Sequence, residues 1–401
     1  MISPAIQLYK NAYSGLSRRI WLLSVVMLIN RSGTMVLAFM TLYCTHLGYS
    51  IQQAGWVVAV YGLGSVCGSF LGGKISDKFG FYYTQVGSLF CGGLLFMILG
   101  QMSTYQTICI CTFFLSLVNE SFRPANASAI AHYSTAQNRT QSFSLIRLAV
   151  NIGWGVGSAL GGILASIDYH LLFWVDGFTN IAAAGMLLLI LPKVSVHHQK
   201  TPVVKNEPPI RIISPYRDKP FLFFWFCTLL FSICFFQMFT TVPIYFRENL
   251  SMDESTIGII MAANGIFIAL FEMVIVFKLE GKFPYLRLMF YGTLLMAFSF
   301  LMLNIPVGTG LLLACLFVFV ITIAEIIAMP FMNSFYISRT TDSNRGQYAG
   351  MYTMAWSAAQ VIGSSAGAFF AFRYGFNNLW FAVCLVSVVA ALGYLWLYKK
   401  Y

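Results

Sequence analysis

The sequence predicts an all-α membrane protein with twelve transmembrane helices in two pseudo-symmetric six-helix bundles. Three observations carry that expectation. Hydrophobic residues make up 58% of the 401-residue chain and charged residues only 9%, against roughly 25% charged in a soluble domain. Apolar segments of about 20 to 28 residues recur along the chain, each long enough to cross the ~30 Å hydrocarbon core of a bilayer. One proline- and cation-rich stretch, KVSVHHQKTPVVKNEPPIRIISPYRDKP (193–220), separates six such segments from six.

Taken in chain order, the first half has spans over 20–47, 53–75, 82–102, 105–132, 140–166 and 171–192. The second has them over 220–247, 255–279, 284–304, 309–338, 346–372 and 376–398. The expected division is therefore a bundle over 1–192, a cytoplasmic linker over 193–219 and a second bundle over 220–401. The first apolar run is too long for a signal-peptide core and has no small-residue cleavage site, so it is expected to stay as the first helix. The fifth span contains NIGWGVGSALGG (151–162), with glycine at five of its twelve positions. In lipid an unwound backbone finds no water to bond with, so these glycines do not melt the helix. Gly153, Gly157 and Gly161 recur every four residues and form a smooth face that another helix can approach closely.

Orientation follows from charge, because cytoplasmic loops retain Lys and Arg. Three of the 24 basic residues, Arg31, Arg123 and Arg147, lie deep within spans, away from their ends. Apart from Arg247 and Arg373, the others lie at the two chain ends, in the linker or in alternate short loops. Both termini are expected to be cytoplasmic, and the net charge of +11 follows from topology without a nucleic-acid partner. The nine cysteines fall within spans without metal-type spacing and read as small apolar fillers. His197 and His198 have no further ligand nearby in the sequence, so no metal is expected. No pairing of nucleophile and base points to an enzyme.

The two halves repeat one another. RTQSFSLIRLAVNIGWGVGSALGG (139–162) aligns without gaps on RGQYAGMYTMAWSAAQVIGSSAGA (345–368). This register places Arg139 on Arg345, Gln141 on Gln347, Gly157 on Gly363 and Gly161 on Gly367, and it carries Pro124 onto Pro330. Internal repeats of this kind build many secondary transporters.

In GGKISDKFG (72–80), Gly73, Asp77, Lys78 and Gly80 resemble motif A of the major facilitator superfamily, G-x-x-x-D-[RK]-x-G. Phe81 and Tyr82 stand where the family has a trailing basic pair. The resemblance implies that Asp77 latches the cytoplasmic side against the positive end of a helix in the other half, near Gly346. Gly153, Gly157, Ser158, Gly161 and Gly162 resemble motif C of the drug/proton antiporter branch, G-x-x-x-G-P-x-x-G-G, with Ser158 at the proline position. A proline there would kink the helix, whereas serine bends it slightly by bonding back to a carbonyl.

Charges within a membrane are costly and mark function. Besides the three arginines, the spans hold Glu120, Glu272 and Glu325, with Asp176 nearer the outer end of the sixth. Glu120 and Arg123 are three apart on one helix face and can neutralise each other. Setting them aside leaves guanidinium groups in the first half and Glu272 and Glu325 in the second. Arg31 and Glu325 both reach mid-membrane and are expected to hold opposite ends of a substrate, with Glu325, Glu272, Glu120 and Arg123 as candidates for proton coupling. Arg147 is grouped with the structural and gating residues. Tyr43, Tyr61, Gln237, Asn264 and Trp356 are candidate cavity residues, beside Trp56 and Phe235, Phe236 and Phe239.

The expected function is alternating-access transport of a small organic solute, driven by a proton gradient without a cofactor, most simply as efflux of drugs or metabolites. The partners are the lipid bilayer and the solute, with the protein acting as a monomer in a cytoplasmic membrane. The alternative is proton-coupled import of a zwitterion such as a peptide, amino acid or siderophore. AEIIAMPFMNSF (324–335) resembles the E-x-x-x-x-P pattern of proton-coupled oligopeptide transporters, although their helix-1 signature E-x-x-E-R is absent around Arg31.

Overall fold

The structure is a computed structural model that describes residues 4–192, 213–305 and 309–401. Most of the expected linker, including His197 and His198, lies outside the described residues. The first half comprises α1 (Pro4–Tyr13), α2 (Arg18–Ser32), α3 (Val36–His46), α4 (Ile51–Phe79), α5 (Phe81–Leu99), α6 (Tyr105–Glu120), α7 (Phe122–Tyr133), α8 (Arg139–Ile167) and α9 (His170–Ile190). The second comprises α10 (Lys219–Thr240), α11 (Val242–Glu248), α12 (Glu254–Leu279), α13 (Tyr285–Met302), α14 (Gly310–Ser338), α15 (Arg345–Tyr374) and α16 (Phe376–Lys400).

Three of the expected spans are interrupted, each for an identifiable reason. The first breaks between α2 and α3, where the fully buried Asp176 of α9 accepts hydrogen bonds from the amides of Met35 at 3.0 Å and Val36 at 2.8 Å. These are the amides a helix start leaves unpaired, and the carboxylate replaces the water they lack. The fourth breaks at Ser121, where Pro124 cannot donate to the carbonyl of Glu120. The seventh breaks at Thr241, just before Pro243. With α2–α3, α6–α7 and α10–α11 taken as continuous, the helices after α1 form twelve rods. Among the described residues, ten helices are long and apolar enough to cross a membrane. The remaining two rods are α6–α7, which carries Asn119, Glu120, Arg123 and Asn126, and α15, which is diluted by Gly, Ser, Gln and Arg.

The two halves meet along α4 against α15 and along α8 against α12 and α14. At the end that carries both chain termini, α4 and α15 touch backbone to backbone. A Cβ added to Gly73 would sit 2.5 Å from the Gly346 carbonyl, and one on Gly350 would sit 2.6 Å from that of Ser69. Thr140 on α8 and Ser334 on α14 share a hydrogen bond of 2.7 Å. Helix α1, although part of the first half, lies on α12 of the second. The Tyr9 hydroxyl donates to the Leu270 carbonyl at 2.6 Å, while Gln141 Nε2 donates to the Ala12 carbonyl at 3.1 Å.

The glycine face of α8 packs on α2 and α3. A Cβ would meet Arg31 Cβ at 2.7 Å from Gly153, the Ser32 carbonyl at 3.0 Å from Gly157 and the Phe39 ring at 2.9 Å from Gly161. One expectation is corrected here. Gly162 faces open space with nothing within 4 Å, because its position points away from that face. Ser158 is exposed, and α8 continues past it without the break a proline could bring.

Candidate functional site

A charged cluster lies where α8, α12 and α14 converge. Arg147 Nη1 is 3.0 Å from Glu272 Oε2, and Nη2 is 2.7 Å from Glu325 Oε2. Asn264 Nδ2 donates to Glu325 Oε1 at 3.0 Å and to Thr322 Oγ1 at 2.9 Å. Both glutamates are only 2% exposed. The planar guanidinium fork can engage two carboxylates at once. One cation against two ionised carboxylates leaves one negative charge unmatched, where such an excess is costly. Five residues beyond Glu325, Pro330 removes the amide that would bond to the Ile326 carbonyl and loosens α14 beside the cluster.

Glu325 is therefore joined to Arg147, not to Arg31. The sequence reading set Glu325 and Arg31 at opposite ends of a substrate and gave Arg147 a structural part, because nothing local distinguished it from the other intramembrane arginines. The expected pairing of Glu120 and Arg123 is present, with Nη1 3.2 Å from Oε2. The Tyr61 hydroxyl donates to Glu120 Oε1 at 3.4 Å.

Three candidate cavity residues are placed elsewhere. Tyr43 is 1% exposed and packs edge-on against Phe173 at 4.7 Å, within a core cluster confined to the first half. Gln237 donates to the Gly363 carbonyl at 2.8 Å and accepts from Thr241 at 2.9 Å, filling the contact of α10 with α15. Trp356 is buried among Phe231, Phe235 and Phe236, while Trp56 and Phe239 are exposed. Aromatic composition did not separate these settings.

At the terminus-bearing end, Asp77 accepts from the amides of Gly346 at 2.6 Å and Gln347 at 2.9 Å, at the start of α15. Gly73 allows the backbones to approach there, and Gly80, at φ +90°, turns the chain from α4 into α5. Lys78 lies with its ammonium 5.2 Å from the Phe79 ring. A counterpart that sequence motifs missed is Glu280, which follows α12 and accepts from the Thr140 amide at 3.0 Å, at the start of α8. The repeat register pairs Thr140 with Gly346. Each half thus presents a carboxylate to the equivalent helix start of the other. Burial pushes the Glu280 carboxyl up, partly offset by its bonds to the start of α8.

Known proteins share this architecture. The chain is 22% identical to a Na(+), Li(+), K(+)/H(+) antiporter of Planococcus maritimus, covering 93% of this chain and 94% of the relative. It is 22% identical to the quinolone resistance protein NorA of Staphylococcus aureus (84% and 85% covered) and 20% identical to the multidrug resistance protein MdtH of Yersinia enterocolitica (87% and 88%). Among solved structures, a bacterial homologue of the iron transporter ferroportin in an outward-facing state aligns with a TM-score of 0.75 at 12% identity, covering 96% of this chain and all of that one. The human organic anion transporter MFSD10 aligns with a TM-score of 0.73 at 12% identity, covering 94% and 99%. Residues 20–364 and 247–401 match the Major Facilitator Superfamily, and the chain belongs to it.

Proposed function

We propose that the protein exports a small organic solute across a bacterial cytoplasmic membrane in exchange for protons, by alternating access, with both termini in the cytoplasm. The observation that carries this reading is the fork of Arg147 between Glu272 and Glu325. A proton on either glutamate leaves one carboxylate to match one guanidinium, which removes the unmatched charge. When the proton departs, Arg147 again serves two carboxylates, and this difference biases the contact of α8 with α12 and α14. The contacts at Asp77, Glu280 and Thr140 fit a state closed on the terminus-bearing side. The antiporter and multidrug relatives support exchange and export.

The test uses purified protein in acid-loaded liposomes containing a pH-sensitive dye, challenged with amino acids, dipeptides, siderophores, cationic dyes and aromatic acids. At least one solute is expected to release protons. Glu325→Gln should abolish gradient-driven transport of that solute while leaving its counterflow, because exchange at equilibrium requires no net protonation cycle. Full gradient-driven transport by Glu325→Gln would overturn the coupling role.

A further inference from the structure

Around Arg31 the charges are unbalanced in the opposite sense, because the other buried carboxylate of that half, Asp176, is taken up by the amides of Met35 and Val36. Arg123 is satisfied by Glu120, which Tyr61 also engages. Arg31, at the end of α2, lies within electrostatic reach of Glu120, Arg123 and Tyr61. Among the described residues it has no ion-pair partner, and its Nε is buried without a hydrogen-bond acceptor. Two guanidiniums therefore face one carboxylate, an excess of one positive charge. Arg31 is packed closely on α8 at its base, where its Cβ lies against Gly153.

A guanidinium whose buried Nε–H has no acceptor is costly until an anion accepts from it. The two excess charges of the core therefore differ in what neutralises them: a proton suffices at Glu272 and Glu325, whereas the excess at Arg31 requires a negative group. We propose that Arg31, beside the Tyr61–Glu120–Arg123 group, is the subsite for an anionic group on the transported solute, and that the solute is an organic acid, most simply a carboxylate. This rests on the transport reading above and specifies the substrate class. The planar fork of Arg31 suits a carboxylate, which accepts two parallel hydrogen bonds, better than a spherical ion.

The test compares 2-naphthoate with its uncharged methyl ester, measuring binding by calorimetry to the full chain in lipid nanodiscs at neutral pH with no gradient. The wild type is expected to bind the carboxylate at least about tenfold more tightly than the ester, as a charge-assisted contact implies. Arg31→Gln should bring the two ligands to within about twofold, while Arg31→Lys, which keeps the charge but loses the fork, should retain a reduced preference. If Arg31→Gln does not fold, the comparison passes to Arg31→Lys, and an undiminished preference there would overturn the proposal. So would equal binding of acid and ester by the wild type, or sodium chloride displacing 2-naphthoate as effectively as an organic acid does, which would assign the subsite to an inorganic ion. Because no gradient is present, loss of proton coupling in the liposome assay leaves this result readable, and the two readings can fail separately.

Discussion

At the scale of single residues, Asp218 shows how one side chain can fasten several elements. It lies just before α10 and accepts from Arg339 Nε at 2.9 Å, Arg339 Nη2 at 2.8 Å and the Tyr348 hydroxyl at 2.8 Å, tying the start of α10 to the end of α14 and to α15. Burial alone would push its carboxyl up, but the Arg339 and Tyr348 bonds outweigh that and hold it below the usual carboxylate range. The folded state then takes up a proton less readily than the unfolded chain, whose aspartates titrate near ~3.9. The contact therefore contributes stability above that pH and loses it as pH falls through the lower folded value. Asp218→Asn should lower the melting temperature in detergent by several degrees at pH ~7, and the difference should shrink only as pH falls below ~3.9, vanishing beneath the lower folded value. Identical melting at neutral pH would show that the pair carries no stability. None of this was legible in the sequence, because Asp218 sits in a polar stretch that reads as linker and its partners lie more than a hundred residues away.

At the scale of elements, the spacing of glycines was legible but their facing was only partly so. Period four identified Gly153, Gly157 and Gly161 as a packing face, and these are the positions where a side chain would collide with α2 and α3. The likeness to motif C then drew in Gly162, which lies off that face. The distinction gives a paired prediction. Gly153→Leu should fail to fold or should lock the protein in one conformation, since even its Cβ would meet Arg31 Cβ at 2.7 Å. Gly162→Leu should transport within about twofold of the wild type, because its side chain enters space that lipid can vacate. Size-exclusion profiles and transport rates distinguish them, and equal damage from both would refute the assignment of faces. The helix breaks were less legible than the helices. Pro124 and Pro243 give local warning of two of them, but the break at Gly33 depends on Asp176, a residue of another helix.

At the scale of the whole molecule, the motif disclosed one of two related contacts and the repeat related their positions only once the structure was known. Motif A located Asp77, and its expected contact near Gly346 is where the carboxylate lies. Its counterpart Glu280 does not carry the motif's residue pattern and lies three residues before the repeat equivalent of Asp77, yet it accepts from Thr140, the repeat equivalent of Gly346. Asp77→Asn and Glu280→Gln should each slow turnover in liposomes while leaving ligand affinity within a few-fold, and the double variant should be slower than either. Unchanged turnover in the double variant would show that these caps are not part of the cycle. The pairing of Arg147 with Glu272 and Glu325 joins residues of both halves, so no pattern within one half could disclose it.

The position of α1 has a consequence for how the chain is made. Of the described helices it is the first to leave the ribosome, yet the carbonyl that Tyr9 binds belongs to Leu270, 261 residues later. At ~5–20 residues per second, about 13–50 seconds separate the two in synthesis. During that interval α1 has no α12 to lie on, although its far end can already bond to Gln141 of α8. Its seating on α12 can follow only once that helix has been made, so that contact reports that the second half has joined the first. A protease site placed within α1 should accordingly be cut readily in nascent chains arrested before α12 and resist cutting in the completed protein.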